Sequence, residues 1–218
     1  MNEIWQGLRG NHPIVEFHDI RTEAGRAERY LELAEGPVGD AFSRNGGAML
    51  GQFRVDLHEN RMILLRGFAD TIDRRQALGR FHASPAWSRH RAELAGLERE
   101  ANVLLTRAVA PSSGTRPLRY GEGVTLVISE LRFAEQVGNY HLWLRLMLRK
   151  AGLDPIAAFA TLESVNDVPA VPVVKNRTHH VALLQQGARV PPLPIALRDM
   201  LRFSPEILSL QPAAALVW

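Results

Sequence analysis

From Gly47 to Asp70 the chain reads "GAMLGQFRVDLHENRMILLRGFAD". Apolar and polar residues alternate on both sides of a polar break at His58, Glu59 and Asn60, the pattern of two strands joined by a short turn. Pro13–Asp19 alternates in the same way, with Val15 and Phe17 set against Glu16 and His18. Around these strands the period changes. After Thr22, a candidate N-cap, Tyr30, Leu31 and Ala34 recur at helical spacing, and "EGPVGDAFSRNGG" extends the helix with a break. Asp70 or Thr71 opens a second helical stretch carrying Ile72, Leu78 and Phe81. Ser84-Pro85 opens a third, with Ser as N-cap and Pro in the first turn, and with Trp87, Leu94 and Leu97 as its apolar members. A strand at Asn102–Val109 completes the order β-α-β-β-α-β, the split-βαβ plan.

The order then repeats. "APSSGTRPLRYGEG" reads as a linker. "VTLVISELRF" is a strand, and "YHLWLRLMLRKAG" is an amphipathic helix with Gly152 as its C-cap. "IAAFATLES" and "THHVALLQQ" are strands on either side of a proline-bearing loop, "VNDVPAVPVVKNR". A helix at Ile195–Arg202 leads into Ser204-Pro205, and "AAALVW" closes as a short strand. The predicted fold class is α+β: two tandem ferredoxin-like (βαββαβ) halves, residues 12–110 and a shorter 123–218 joined by a linker at 111–122, whose antiparallel sheets pack face to face as an α+β barrel.

Parity says which residues share a face. A three-residue turn at His58–Asn60 makes paired residue numbers sum to an even value. Phe53, Val55, Ile63 and Leu65 then lie on one side, with Val15 and Phe17. Gln52, Arg54, Leu64, Arg66 and Phe68 lie on the other, with Glu16 and His18. Helices cover one face of such a sheet. The mixed face is expected to line the barrel interior, because leaving Leu64 and Phe68 in water is costly and because apolar walls with a few polar groups suit a small-molecule pocket. A structural alternative stands beside this: Glu16 pairs with Arg54 or Arg66 as a satisfied ionic cluster, and His18 is a hydrogen-bonded core histidine.

Composition narrows the function classes. The 218 residues are 46% apolar and 22% charged, as in ordinary globular chains. There is no cysteine, hence no disulfide framework and no thiolate chemistry. The opening "MNEIWQGLRG" has no basic stretch followed by an apolar run, and no apolar run approaches the roughly 18 residues of a membrane span; a cytoplasmic protein without a membrane partner is expected. The formal charge is +3, and apart from Lys150 and Lys175 all 26 basic residues are arginine. They are interleaved with acids, as in "RTEAGRAERYLE", rather than gathered on one face with stacking aromatics, so no nucleic-acid partner is expected.

Several stretches resemble the NIPSNAP family, in particular its bacterial tandem-repeat members. They are "IVEFHDIRTEAGRAERYLELAE", "GAMLGQFRVDLHENRMILLRGFAD", "ASPAWSRHR" with "ANVLLTRAV", and "VPAVPVVKNRTHHVALL". The chain departs from the family's pattern at "HDIRTEAGR", which has neither its tyrosine nor its Pro-Gly helix start. The family is similar to the dimeric α/β-barrel superfamily, which includes cofactor-independent monooxygenases, haem-degrading proteins and small isomerases. The resemblance implies the barrel more than any one reaction.

For an enzyme, Glu16 and His18 are the acid–base candidates, since an imidazole titrates near neutrality. Arg54 and Arg66 are the groups to hold an anionic or enolate oxygen, because guanidinium stays charged and forms paired hydrogen bonds. Gln52, Phe68 and His180 complete the expected ligand-binding set, with His180 facing the interior. No metal site is expected: His179 and His180 are neighbours on a strand and point to opposite faces. No cofactor is required; haem is the alternative, with His82 or His90 as its ligand. Trp87, Trp143 and Trp218 read as core anchors. Phosphate-loop, HExxH and G-x-S-x-G patterns are absent. Three readings follow. The first is a cofactor-independent monooxygenase or isomerase with a pocket between the sheets, acting on a small apolar, oxygen-bearing metabolite. The second is a non-catalytic interaction protein, with a homodimer and the outside of the Leu142–Leu148 helix as candidates. The third is a haem-binding protein.

Overall fold

The computed structural model describes residues 12–111, 123–163 and 166–213. The alternating segments form β1 (Ile14–Thr22), β2 (Ala48–Val55), β3 (His58–Phe68), β4 (Glu98–Pro111), β5 (Val124–Leu131), β6 (Ala157–Thr161), β7 (Thr178–Gln185) and β8 (Glu206–Pro212). All pair antiparallel, and they close into one eight-stranded barrel in the order β1-β3-β2-β8-β5-β7-β6-β4. The seams between the two sets of four strands are hydrogen-bonded: β2 pairs with β8 and β4 with β6. The expected linker core, residues 112–122, lies outside the described residues, as do residues 214–218, on which all but the first residue of the expected strand "AAALVW" falls; Glu206–Pro212 forms a strand between β2 and β5.

The helices follow their capping signals where those signals are specific. α3 (Thr71–His82) starts at Asp70, whose carboxylate accepts from the Asp73 N–H at 2.7 Å. α4 (Pro85–Leu97) starts at Ser84, whose hydroxyl accepts from the Trp87 N–H. α5 (Val137–Lys150) ends in a Schellman motif: Gly152 has φ +74°, its N–H reaches the Arg149 carbonyl, and the Leu153 N–H reaches the Leu148 carbonyl. Thr22 is not a cap. It is the last residue of β1, and α1 (Ala27–Glu35) begins behind Arg26 without a side-chain cap. Gly36 breaks the chain before α2 (Pro37–Arg44). α6 shrinks to Ile195–Arg198, and Ser204-Pro205 leads into a strand.

The hairpin keeps the expected even pairing, as in Gln52 opposite Leu64 and Phe53 opposite Ile63. The turn itself differs. It lies at Asp56-Leu57, with Leu57 at φ +65°, and a register shift beside Val55 restores the parity.

The orientation of the faces is the reverse of the expected one. Val15, Phe17, Phe53, Val55, Ile63 and Leu65 fill the barrel interior, together with Val124, Leu126, Phe159, Val181, Leu183, Leu208 and Leu210. The other face, with Leu64 and Phe68, lies under α1–α4 in a second apolar core. Glu16, His18, Gln52, Arg54 and Arg66 therefore point outward toward the helices, not into a chamber between sheets. The physical reason is the closure. An eight-stranded barrel is just wide enough for side chains to fill it, and a charge in that dry lumen would meet no counter-charge except from another strand. The helix layer can bring counter-charges and reaches water at its edges. One end of the barrel is stoppered by buried Arg61, which donates to both oxygens of Asp19 and to Glu206.

Candidate functional site

Glu16 is fully buried on β1, and its two carboxylate oxygens are both occupied. Oε1 accepts from Arg74 Nε at 2.7 Å, and Oε2 lies 2.9 Å from His18 Nε2. The pair forms because residues i and i+2 of a strand share a face. An ionised carboxylate is an acceptor only, so His18 Nε2 carries the proton and Nδ1 is the nitrogen left for a ligand. Arg74 comes from α3, where Arg74, Ala77, Leu78 and Phe81 are the buried stripe. Its remaining nitrogens donate to Asp167 at 3.0 Å and Asn166 at 3.3 Å. Those two belong to the proline-bearing loop between β6 and β7, which runs beside β4: the Val103 N–H donates to the Pro172 carbonyl and the Val174 N–H to the Val103 carbonyl.

Arg66 stands directly opposite Glu16 in the β1–β3 ladder. Its guanidinium lies over the ring of Phe42 at 4.8 Å and of Phe81 at 5.7 Å. Phe81, His82 and Trp87 form a contiguous aromatic group with ring centroids 5.0 to 5.3 Å apart. Tyr30, buried on α1, donates its hydroxyl to Glu98 at 2.9 Å.

The electrostatics follow from this packing. Burial pushes the Glu16 carboxyl up, but the His18 hydrogen bond and the charges of Arg74 and Arg66 overcome it and bring it down to about 2. His18 is held below the ordinary imidazole range by burial and then by the Arg66 charge, against the pull of Glu16. His82 is lowered by the same two causes. The face thus holds an ionised carboxylate, neutral imidazoles and a cation at pH 7.

The other expected ligand-binding residues are dispersed. Gln52 donates to the Ala34 carbonyl at 3.2 Å. Arg54 is paired through both terminal nitrogens with Glu28 and lines an outer cleft of about 440 Å³ with Asp56, His58 and Gln211. Phe68 packs edge-on against Phe42. His180 does not face the interior. It is buried under α5, where its Nε2 lies 3.0 Å from His141 Nδ1, and burial lowers its pKa to about 3. His179 turns the other way, with Nε2 3.9 Å from a Glu130 carboxylate oxygen. No group of three or more metal-ligating side chains occurs among the described residues. Trp143 is largely exposed rather than a core anchor, and Trp218 lies outside the described residues.

Arg74, Asn166 and Asp167 are the members that sequence reading missed. Arg74 had a signal: it occupies the first position of the apolar stripe 74, 77, 78, 81, while Ile72, an expected member of that stripe, is more than half exposed. Asn166 and Asp167 had none, since their contact spans more than 90 positions.

No family model matches the chain, and no curated protein does. Solved structures do. A protein of Lactobacillus acidophilus NCFM provisionally named a monooxygenase is 12% identical, with 93% of this chain matched to 95% of that one at a TM-score of 0.56. A provisionally named monooxygenase of Fusobacterium nucleatum is 10% identical, with 93% of each chain matched and a TM-score of 0.56. The chain shares their barrel fold. It is also similar to NIPSNAP family proteins over about half its length: one from Agrobacterium tumefaciens is 23% identical, matching 49% of this chain and 98% of its own at a TM-score of 0.42. No helix among the described residues is long and apolar enough to cross a membrane.

Proposed function

We propose that the helix-covered face of β1 and β3 is a small-molecule acid–base site of a cofactor-independent enzyme, of monooxygenase or isomerase type, acting on a small oxygen-bearing metabolite. His18 is the proton-transferring group, Glu16 orients it and stabilises the imidazolium, and Arg74 anchors Glu16. The observation that carries the reading is the Glu16 carboxylate bridging Arg74 at 2.7 Å and His18 at 2.9 Å. His18 Nδ1 takes a proton from carbon or oxygen next to a carbonyl or phenol. The resulting anion then regains a proton at a second atom, as an isomerase requires, or meets dioxygen, as a monooxygenase requires. Glu16→Gln tests the roles. With substrate in hand it lowers kcat about 10²-fold or more and displaces the acidic limb of the pH profile; an unchanged profile removes His18 from the reaction. The same reading treats the chain as tandem ferredoxin-like halves at 12–110 and 123–218. It is supported by the identical strand order β4-β1-β3-β2 and β8-β5-β7-β6, each set in its own sequence reading 4-1-3-2.

A second reading, interaction with a second copy of this chain, is favoured by the outside of α5 and its surroundings. Phe133, Leu142, Trp143, Leu146, Ile195, Phe203 and Ile207 are each about half exposed or more. At on the order of 100 Å² apiece they approach the roughly 800 Å² that one partner contributes to a standard interface. Light scattering tests it: a dimer that Leu146→Glu dissociates supports the reading, and a monomer at high concentration ends it. Haem, the third reading, has no observation in its favour: His82 lies within the field of the Arg66 cation, which opposes a ferric ion there, and a titration showing a Soret band would restore it.

A further inference from the structure

Three arginines packed at the barrel wall have carboxylate partners. Arg61 is neutralised by Asp19 and Glu206, Arg74 by Glu16 and Asp167, and Arg54 by Glu28. Arg66 has no carboxylate within ion-pair distance among the described residues, although Glu16 is its neighbour across the ladder. Glu16 is turned away because Arg74 and His18 occupy both of its oxygens. Arg66 Nε is buried without a hydrogen-bond partner. The guanidinium is half-buried over Phe42 and Phe81, and aromatic faces answer a cation only weakly compared with an anion.

We propose that Arg66 is the receptor for an anionic ligand, a small planar carboxylate or enolate that fills the guanidinium fork and lies along the aromatic group of Phe81, His82 and Trp87. The fork presents parallel N–H donors that match two coplanar oxygens. The surrounding rings supply apolar walls that favour a conjugated body over a strongly hydrated tetrahedral anion. This deepens the acid–base reading of the same face by naming its substrate class, and it rests on that face being a ligand site, not on His18 acting as base. An enolate formed by proton removal at His18 would find its charge answered at Arg66.

Calorimetry on the full chain tests it with benzoate as the smallest planar aromatic carboxylate, benzamide as its uncharged counterpart and inorganic phosphate as a tetrahedral anion. Benzoate is expected to bind at least tenfold more tightly than benzamide or phosphate. Arg66→Met is expected to lose at least tenfold in benzoate affinity, Arg66→Lys to recover part of it, and Arg54→Met to bind as the parent chain does. Benzoate no tighter than benzamide or phosphate, or equal loss in Arg66→Met and Arg54→Met, overturns the proposal. Should Arg66→Met fail to fold, the benzoate-to-benzamide ratio of the parent chain and of Arg66→Lys decides in its place. Glu16→Gln separates the two claims. If it changes the His18 titration while benzoate fails to bind, only the anion receptor falls; if benzoate binds and the His18 titration is untouched, only the acid–base reading falls.

Discussion

The two sets of four strands have the same order, yet the faces they turn to their helices differ. Under α1–α4, β1 and β3 present Glu16, His18 and Arg66, and α3 adds Arg74. Under α5, β5 and β7 present Ser129 and His180, which meet Tyr140 at 2.8 Å and His141 at 3.0 Å. One face is charged, bridged and left with a cation that no carboxylate pairs among the described residues; the other is neutral and hydrogen-bonded pairwise. The cost of burying ions explains why the first needs a helix-borne arginine and a loop from the other half of the chain to hold it together. The second needs only hydroxyls and imidazoles. On this difference rests the proposal that the first face takes a ligand, while the second, where in the His141–His180 pair only His180 Nδ1 is buried without a partner among the described residues, is read as packing.

The largest expected effect that would break this comparison is at Arg74. Arg74→Met leaves Glu16 buried beside His18 without its main counter-charge, and urea unfolding should show a loss of about 3–5 kcal/mol. Glu16→Gln in the same chain should recover part of it; no recovery would mean that the two residues are not coupled.

Acid comes next, and both faces contribute. His180 is neutral when folded, with its pKa held near 3 by burial, and takes a proton near 6.5 once unfolded. The unfolded chain therefore binds more protons between those values, so this contribution is complete above about pH 6.5 and declines as the pH falls toward 3. His18, also lowered, acts in the same sense. Glu16, lowered to about 2 from 4.5, adds stability above pH 4.5 that is lost as the pH falls through 2. Unfolding free energies at pH 7.5 and 5 should fall by several kcal/mol, and His180→Phe should flatten the slope.

Smaller effects sharpen the contrast. Tyr140→Phe removes one neutral hydrogen bond and should cost about 1 kcal/mol by thermal unfolding. Leu146→Glu on the outer side of α5 should leave monomer stability within about 0.5 kcal/mol of the parent chain, since its side chain is half exposed.

Much of the scaffold was legible before the fold was known. The alternation about Phe53 and Ile63 fixed the pairing, and Asp70 and Ser84-Pro85 fixed two helix starts, because capping is a local contest between neighbouring groups. The direction of each face was not legible. Both faces of every central strand are covered, so parity sorts residues into two sets without saying which set meets the lumen. The purely apolar set marks the drier side, and in a closed barrel that side is the interior. Of the candidate site, Glu16, His18 and Arg66 were visible as polar residues on one face of strands. Arg54 satisfied the same pattern and proved to be an outer ion pair with Glu28, because a pattern shows polarity and not its partner. Thr22 and the His58–Asn60 turn failed for a related reason: the bulge beside Val55 lengthens β3 and draws Asn60 into it, where its side chain accepts from the Gly25 N–H.

The ring nitrogens of His18, followed by ¹⁵N NMR from pH 8 to 5 in the parent chain and in Glu16→Gln, test the central claim most directly. The account predicts a ring protonated at Nε2 and titrating below the ordinary imidazole range, with the tautomer lost or the titration displaced in Glu16→Gln. A ring that titrates near 6.5 and behaves identically in both chains would contradict it.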